Sequence, residues 1–170
     1  LPEAGIEIAR EVGPLDNLAV AVGQRNGHFA KARSGVGHTR WATHGRPSEA
    51  NAHPHIGGTD GGADNEVAVV HNGIIENHAQ LREELEERGF VFRSETDTEV
   101  MAHLLAERVA AGEPLEEALA GTIKRLRGSF AVAAMSASEP EKVVAARQQS
   151  PLVVGLGEGE NFLASAVQAL

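Results

Sequence analysis

The last forty residues constrain the fold most. Four apolar, strand-like runs follow one another: Ser129–Met135, Lys142–Ala146, Leu152–Gly155 and Asn161–Ala164. Their links are of hairpin length, whereas parallel strands need a crossover of about a dozen residues or more. Neighbouring runs can therefore pair only antiparallel. Gly155-Leu-Gly-Glu-Gly159 lies between the last two. Its G-x-G-x-G spacing, with no helix opening after it, reads as a hairpin turn rather than a phosphate loop.

Upstream, the apolar period lengthens. Leu81 and Leu85 stand four apart in a helix predicted from His78 to Arg88, with Asn77 as its cap and Gly89 as its stop. Thr96 and Glu99 have capping-box spacing and open a helix to about Ala111. Leu115, Ala118, Leu119, Ile123 and Leu126 form the stripe of a helix over Glu113–Arg127. A shorter helix is predicted at Leu15–Val22, capped by Asp16 or Asn17. Further strands are expected at Gly5–Val12, Gly35–Thr43, Val67–Val70 and Phe90–Phe92, with a loop over Arg46–Glu66. Strand–helix–strand alternation is not sustained, so the expected class is α+β with antiparallel sheet.

Composition narrows the function. The 170 residues are 42% apolar, which suits one folded domain spanning 1–170. A net charge of −9 argues against nucleic acid, since neutralising phosphates needs a basic face. No apolar run approaches the ~20 residues of a membrane span and no signal peptide is visible, so a cytoplasmic protein is expected. There is no cysteine, hence no disulfide and no thiolate metal site.

Polar chemistry concentrates in Gly35–Gly45 and Asn51–His55, with two later clusters at Val69–Asn77 and Ser94–Val100. Arg40 has a guanidinium fork suited to a carboxylate, and Thr39, Thr43 and His44 add donors beside it. Trp41, the single tryptophan, either walls a pocket or fills the core. Asn72-Gly73 reads equally as a hairpin turn or as the amide and backbone N–H of an oxyanion hole. Asp97 either satisfies helix-start donors or, with Ser94, Thr96 and Thr98 doing the capping, stays free for a ligand ammonium. His53-Pro-His55 is a weak metal signal, because the intervening proline should turn the rings apart and no acidic residue completes a set.

The segments HTRWATHG, NAHPH, VVHNGIIEN, SETDTEV, LRGSFAV and SPLVVGLGEGENFLAS, in that order from Gly5 onward, resemble the class II glutamine amidotransferase (glutaminase) domain of glucosamine-6-phosphate synthases. The resemblance implies an N-terminal-nucleophile hydrolase fold, with two antiparallel sheets between helical layers. It implies that an N-terminal cysteine attacks the glutamine side-chain amide, with its own α-amino group as base. The products are glutamate and ammonia for aminating fructose-6-phosphate. No cofactor is implied.

The same resemblance assigns Arg40, Thr43 and His44 to the glutamine α-carboxylate and Asp97 to its α-ammonium. Asn72 and Gly73 become the oxyanion hole, and Trp41 part of the loop leading to an ammonia channel. His53 resembles a supporting position near the nucleophile. Glutamine and a following sugar-isomerase domain are the expected partners, within a homo-oligomeric parent. Three departures stand out. The chain lacks the cysteine and the Tyr-Arg-Gly-Tyr-Asp-Ser motif that follows it, and has Ala164-Ser165-Ala166 where the family shows Ala-Ser-Asp. The expectation is a domain incomplete at its N-terminus, inactive alone and marginal in stability. Alternatives are a non-catalytic glutamine-binding module, the glutaminase domain of another amidotransferase such as amidophosphoribosyltransferase, and a histidine-based metallohydrolase.

Overall fold

The computed structural model describes residues 5–25, 27, 29–40, 46–58 and 67–169. Its helices are α1 (Leu15–Gln24), α2 (His78–Glu87), α3 (Thr98–Ala110) and α4 (Leu115–Ile123). Its strands are β1 (His55–Gly57), β2 (Val67–Ile75), β3 (Gly128–Ser136), β4 (Val143–Gln148), β5 (Val153–Leu156) and β6 (Asn161–Ala164). The first four strands form one antiparallel sheet in the order β1-β2-β3-β4, and β5 pairs antiparallel with β6. The α+β class and all four C-terminal strands match the sequence reading. Gly157 N–H donates to the Glu160 carbonyl at 2.9 Å, closing the β5–β6 turn as expected.

The core lies where α3 crosses the large sheet. Val67, Val69, Phe130 and Val132 meet Val100, Met101, Leu105 and Leu115, all essentially excluded from water. Burying side chains of this size contributes roughly 1.5–3 kcal/mol each. Helix α3 packs on β1 and β2, while α2 and α4 pack against α3. Its backbone passes so close to β1 that a Cβ at Gly57 would lie 1.8 Å from the Ala102 carbonyl oxygen. Glycine is required there by the approach itself, and it brings the start of α3 against His55 and β2.

Several local expectations fail, each because a distant partner outbids a local one. Residues 5–11 and 35–40 belong to no strand, and neither do Phe90–Phe92. A strand needs a neighbour to pair with, and among the described residues these segments have none. Arg10 instead reaches the Pro54 carbonyl through its guanidinium. Phe90 and Phe92 flank His103, with ring centroids 5.2 and 4.7 Å away. The loop predicted over 46–66 contains the short strand β1.

Capping is displaced in the same way. Pro14, not Asp16 or Asn17, precedes α1, and the Asn17 amide bonds the Val12 carbonyl. Asn77 precedes α2 but spends its side chain on Arg125 O and Arg127 N, joining α2 to β3. The Thr96–Glu99 capping box does not form. The Glu99 carboxylate accepts from Arg93 N, Ser94 N and Ser94 Oγ at 2.8, 2.7 and 2.6 Å, and Thr96 turns to His55. Helix α4, Leu115–Ile123, is shorter at both ends than the predicted Glu113–Arg127.

Candidate functional site

Strand β2 positions the centre of the site. Asn72 and Gly73 lie within it, paired with Ala131 and Phe130 of β3, so the hairpin-turn reading is corrected. Asn-Gly favours a turn only where the chain can reverse. Here the ladder to β3 runs unbroken from Val67 to Ile75. Gly73 has φ +132°, and a Cβ on it would lie 2.0 Å from the Ser129 carbonyl oxygen. The strand therefore passes this point only with glycine.

Around these two residues lies a cleft of about 190 Å³, lined by Arg40, His71, Asn72, Gly73, Asp97 and Thr98 among others. Its size suits an amino acid better than a nucleotide cofactor. Besides β2, His38–Arg40, His53 and Thr96–Thr98 line it. The extended segment 35–40 alternates between exposed and half-buried, which puts His38 and Arg40 on its inner side. The start of α3 contributes Asp97 and Thr98. The Asn51 side chain ties the 46–52 loop to this helix start, accepting from Glu95 N at 2.9 Å and donating to Arg46 O at 3.0 Å.

Asp97 is buried, and it is not free. One carboxylate oxygen accepts the Ile75 N–H at 2.8 Å, while the other has a 3.5 Å contact with the Thr98 hydroxyl. The carboxylate thus joins the end of β2 to the start of α3 and keeps acceptor capacity on its second oxygen. Arg40 lines the same cleft. Trp41, Thr43 and His44 lie outside the described residues.

The histidines were underread in the sequence. His53 and His55 do not point apart: their rings meet edge to face at 4.8 Å. Both are drawn to one helix start, His53 to the Thr98 hydroxyl and His55 to the Thr96 hydroxyl, each at 3.0 Å. His71 Nδ1 reaches the same Thr98 oxygen at 2.9 Å. His38 stacks on His53 with centroids 4.1 Å apart and bonds the Asn72 Oδ1 at 2.8 Å. His38, His71 and Thr98 were not singled out as site residues. The available signals were the two-residue step from His38 to Arg40 and the adjacency of His71 to Asn72 and of Thr98 to Asp97. Among the described residues, no group of three histidine or acidic side chains is placed to hold a metal ion.

Burial keeps these rings neutral. Desolvation lowers His53 to about 2, assisted by the neighbouring His38, and lowers His55 to about 4 against the pull of Glu99. His38 and His71 are lowered for the same first reason. A folded chain that resists protonation binds fewer protons than the unfolded one below pH 6.5, so acidification favours unfolding. Stability is expected to fall as pH drops from 6.5 toward 4, by at most about 1.4 kcal/mol per pH unit for each such histidine. Urea unfolding at pH 7.5 and 5.0 measures this, and His53→Gln should reduce the difference. Equal stability at both values would contradict it.

Comparisons with known proteins place the sequence and the fold. The family model described as "Glutamine amidotransferase domain" matches residues 44–170. Glutamine–fructose-6-phosphate aminotransferase (isomerizing) of Pseudomonas putida is 52% identical over 161 residues, covering 95% of this chain and 25% of that protein. The enzyme of that name from Methanothermobacter thermautotrophicus is 55% identical over 165 residues, covering 97% of this chain and 27% of that protein. The chain thus spans about a quarter of the length of these relatives. Among solved structures, glutamine phosphoribosylpyrophosphate amidotransferase from B. subtilis matches with TM-score 0.57 and 27% identity, over 74% of this chain and 26% of that one. The fold is accordingly of the N-terminal-nucleophile amidotransferase type, and the likeness to the B. subtilis enzyme is one of structure. In sequence and in fold, this chain belongs to the glutamine amidotransferase domain family.

Proposed function

We propose that this chain is the glutamine-recognising part of a glutaminase within a longer polypeptide, which passes ammonia to fructose-6-phosphate. The observation that carries the reading is the gathering of Arg40, Asn72, Gly73 and Asp97, from three distant segments, around one amino-acid-sized cleft. In this reading Arg40 holds the α-carboxylate of glutamine in a bidentate bond. The second oxygen of Asp97 takes the α-ammonium. The side-chain amide of glutamine then lies toward Asn72 and Gly73, whose N–H groups stabilise the oxyanion formed on attack. His53 supports the site through Thr98, and Trp41, Thr43 and His44 complete it as the resemblance implies.

The attacking thiolate comes from outside these residues, because the chain contains no cysteine. The reading assigns a sugar-isomerase domain to the same longer polypeptide. The names of the 52–55% identical relatives support the sugar acceptor over the ribosyl one.

Calorimetric titration of the 170-residue chain with glutamine is the test. Binding in the micromolar to millimolar range is expected, with no ammonia released. Arg40→Lys should weaken binding about tenfold or more, since an ammonium cannot reproduce the bidentate fork. The proposal is overturned if this chain fails to bind glutamine and the full-length gene product shows no glutaminase activity.

A further inference from the structure

The Asn72 amide serves as an oxyanion donor only if its nitrogen, not its oxygen, faces the substrate. The two ends of a carboxamide are nearly equal in shape and opposite in chemistry. An exposed side chain at the rim of a cleft has little packing to choose between them, and Asn72 is exposed. Something must hold the amide one way round.

We infer that His38 is a positioning residue for the oxyanion donor: its Nε2–H, 2.8 Å from Asn72 Oδ1, pins the amide oxygen away from the reacting carbonyl. This rests on the glutaminase reading above. A neutral imidazole has one N–H to give. The Asn72 oxygen can only accept, so in the 2.8 Å bond it is Nε2 of His38 that carries the proton. Desolvation keeps the ring below its ordinary pKa and hence singly protonated near neutrality, although hydrogen bonds to the Asn72 side chain and the His71 backbone oppose this. Were the proton on Nδ1, Nε2 would accept from the amide nitrogen and turn the oxygen toward the developing negative charge.

The ring itself is held from behind. It stacks on His53 at 4.1 Å, and His53 Nε2 is bonded to the Thr98 hydroxyl at 3.0 Å. Thr98 directly follows Asp97, the residue proposed to hold the α-ammonium. A single chain of contacts, Thr98–His53–His38–Asn72, therefore links the helix start at one end of the substrate to the amide at the other.

The experiment is steady-state glutaminase kinetics of the full-length gene product and its His38→Phe, His38→Gln and Asn72→Ala variants. Phenylalanine keeps a ring against His53 and removes the donor; glutamine restores an N–H donor without the ring. An oxyanion contact exists only in the transition state, so its loss lowers kcat and leaves KM nearly unchanged. Removing such a donor outright costs about 10²–10³ in kcat, which is expected of Asn72→Ala. For His38→Phe a fall of about tenfold to a hundredfold in kcat is expected, with KM within about twofold, and partial recovery in His38→Gln. The positioning role is overturned if His38→Phe keeps the parent kcat, or if its KM rises with kcat unchanged. It is also overturned if both His38 variants lose activity only in step with a lowered melting temperature, which marks a packing role. If Asn72→Ala itself keeps full kcat, the oxyanion assignment fails first, and with it the basis for His38.

Discussion

Gly73→Ala is expected to cost about 3 kcal/mol or more in stability, a large part of the 5–15 kcal/mol typical of a domain. Two terms add. At φ +132° an alanine backbone is strained by roughly 1–3 kcal/mol. Its Cβ would also sit 2.0 Å from the Ser129 carbonyl oxygen, 2.8 Å from that carbonyl carbon and 2.9 Å from Phe130 Cα. All three are backbone atoms of a paired strand, so no side chain can swing aside. Relief requires β2 to separate from β3 beside Phe130, in the middle of the core, and overpacking of that kind typically costs about 1–3 kcal/mol. Because Gly73 also lines the cleft, glutamine binding should weaken in the fraction that remains folded. Urea denaturation monitored by circular dichroism measures the stability change. A loss below about 1 kcal/mol would show that the ladder yields at this point and that glycine is not required.

The second large effect separates two roles in one carboxylate. Asp97→Ala removes the acceptor for the Ile75 N–H, buried where β2 meets α3. Leaving a buried donor unsatisfied costs about 1–3 kcal/mol, so stability should fall by that amount. Glutamine binding should be lost with it, because the proposed partner of the α-ammonium is gone. Asp97→Asn gives a different pattern. The asparagine oxygen can still accept from Ile75 N, so stability should stay within about 1 kcal/mol of the parent. The negative charge is absent, and binding should still fall about a hundredfold, the effect of losing a charged hydrogen bond in a desolvated site. Thermal unfolding and calorimetry on the same two samples decide the matter. If Asp97→Asn binds glutamine as the parent does, the carboxylate is purely structural and the α-ammonium lies elsewhere.

The histidine cluster explains why the site is assembled from such distant segments. His38, His53 and His71 lie far apart in the chain, yet each is joined directly or through a neighbouring ring to Thr98. A buried hydroxyl serving two imidazoles organises a polar centre without introducing charge. A charge there would demand a partner and a desolvation cost. Neutral rings meet the geometric need and leave Asp97 and Arg40 as the charged groups proposed to meet substrate.

Much of this was legible in the chain itself. Four apolar, strand-like runs with hairpin-length links placed β3 to β6. Leucine spacing placed α2 and α4, because those helices present one apolar stripe to the core. Arg40, Asn72, Gly73 and Asp97 were visible as candidates because polar residues sat at the edge of apolar runs. Their roles were not decided there. Asn72-Gly73 carries a local turn preference that the β2–β3 ladder overrides. Thr96 and Glu99 have capping-box spacing, but Glu99 finds three donors at residues 93 and 94, and Thr96 finds His55. Asp97 was open between satisfying helix-start donors and staying free, and neither reading reached its partner Ile75, which is distant in sequence. His53 and His55 were expected to diverge because nothing local draws both rings to Thr96 and Thr98. Local sequence determined which segments became helix or strand wherever burial followed a simple period. Tertiary structure alone decided which polar side chains found one another, because a hydrogen bond between distant segments exists only after the core has brought them together.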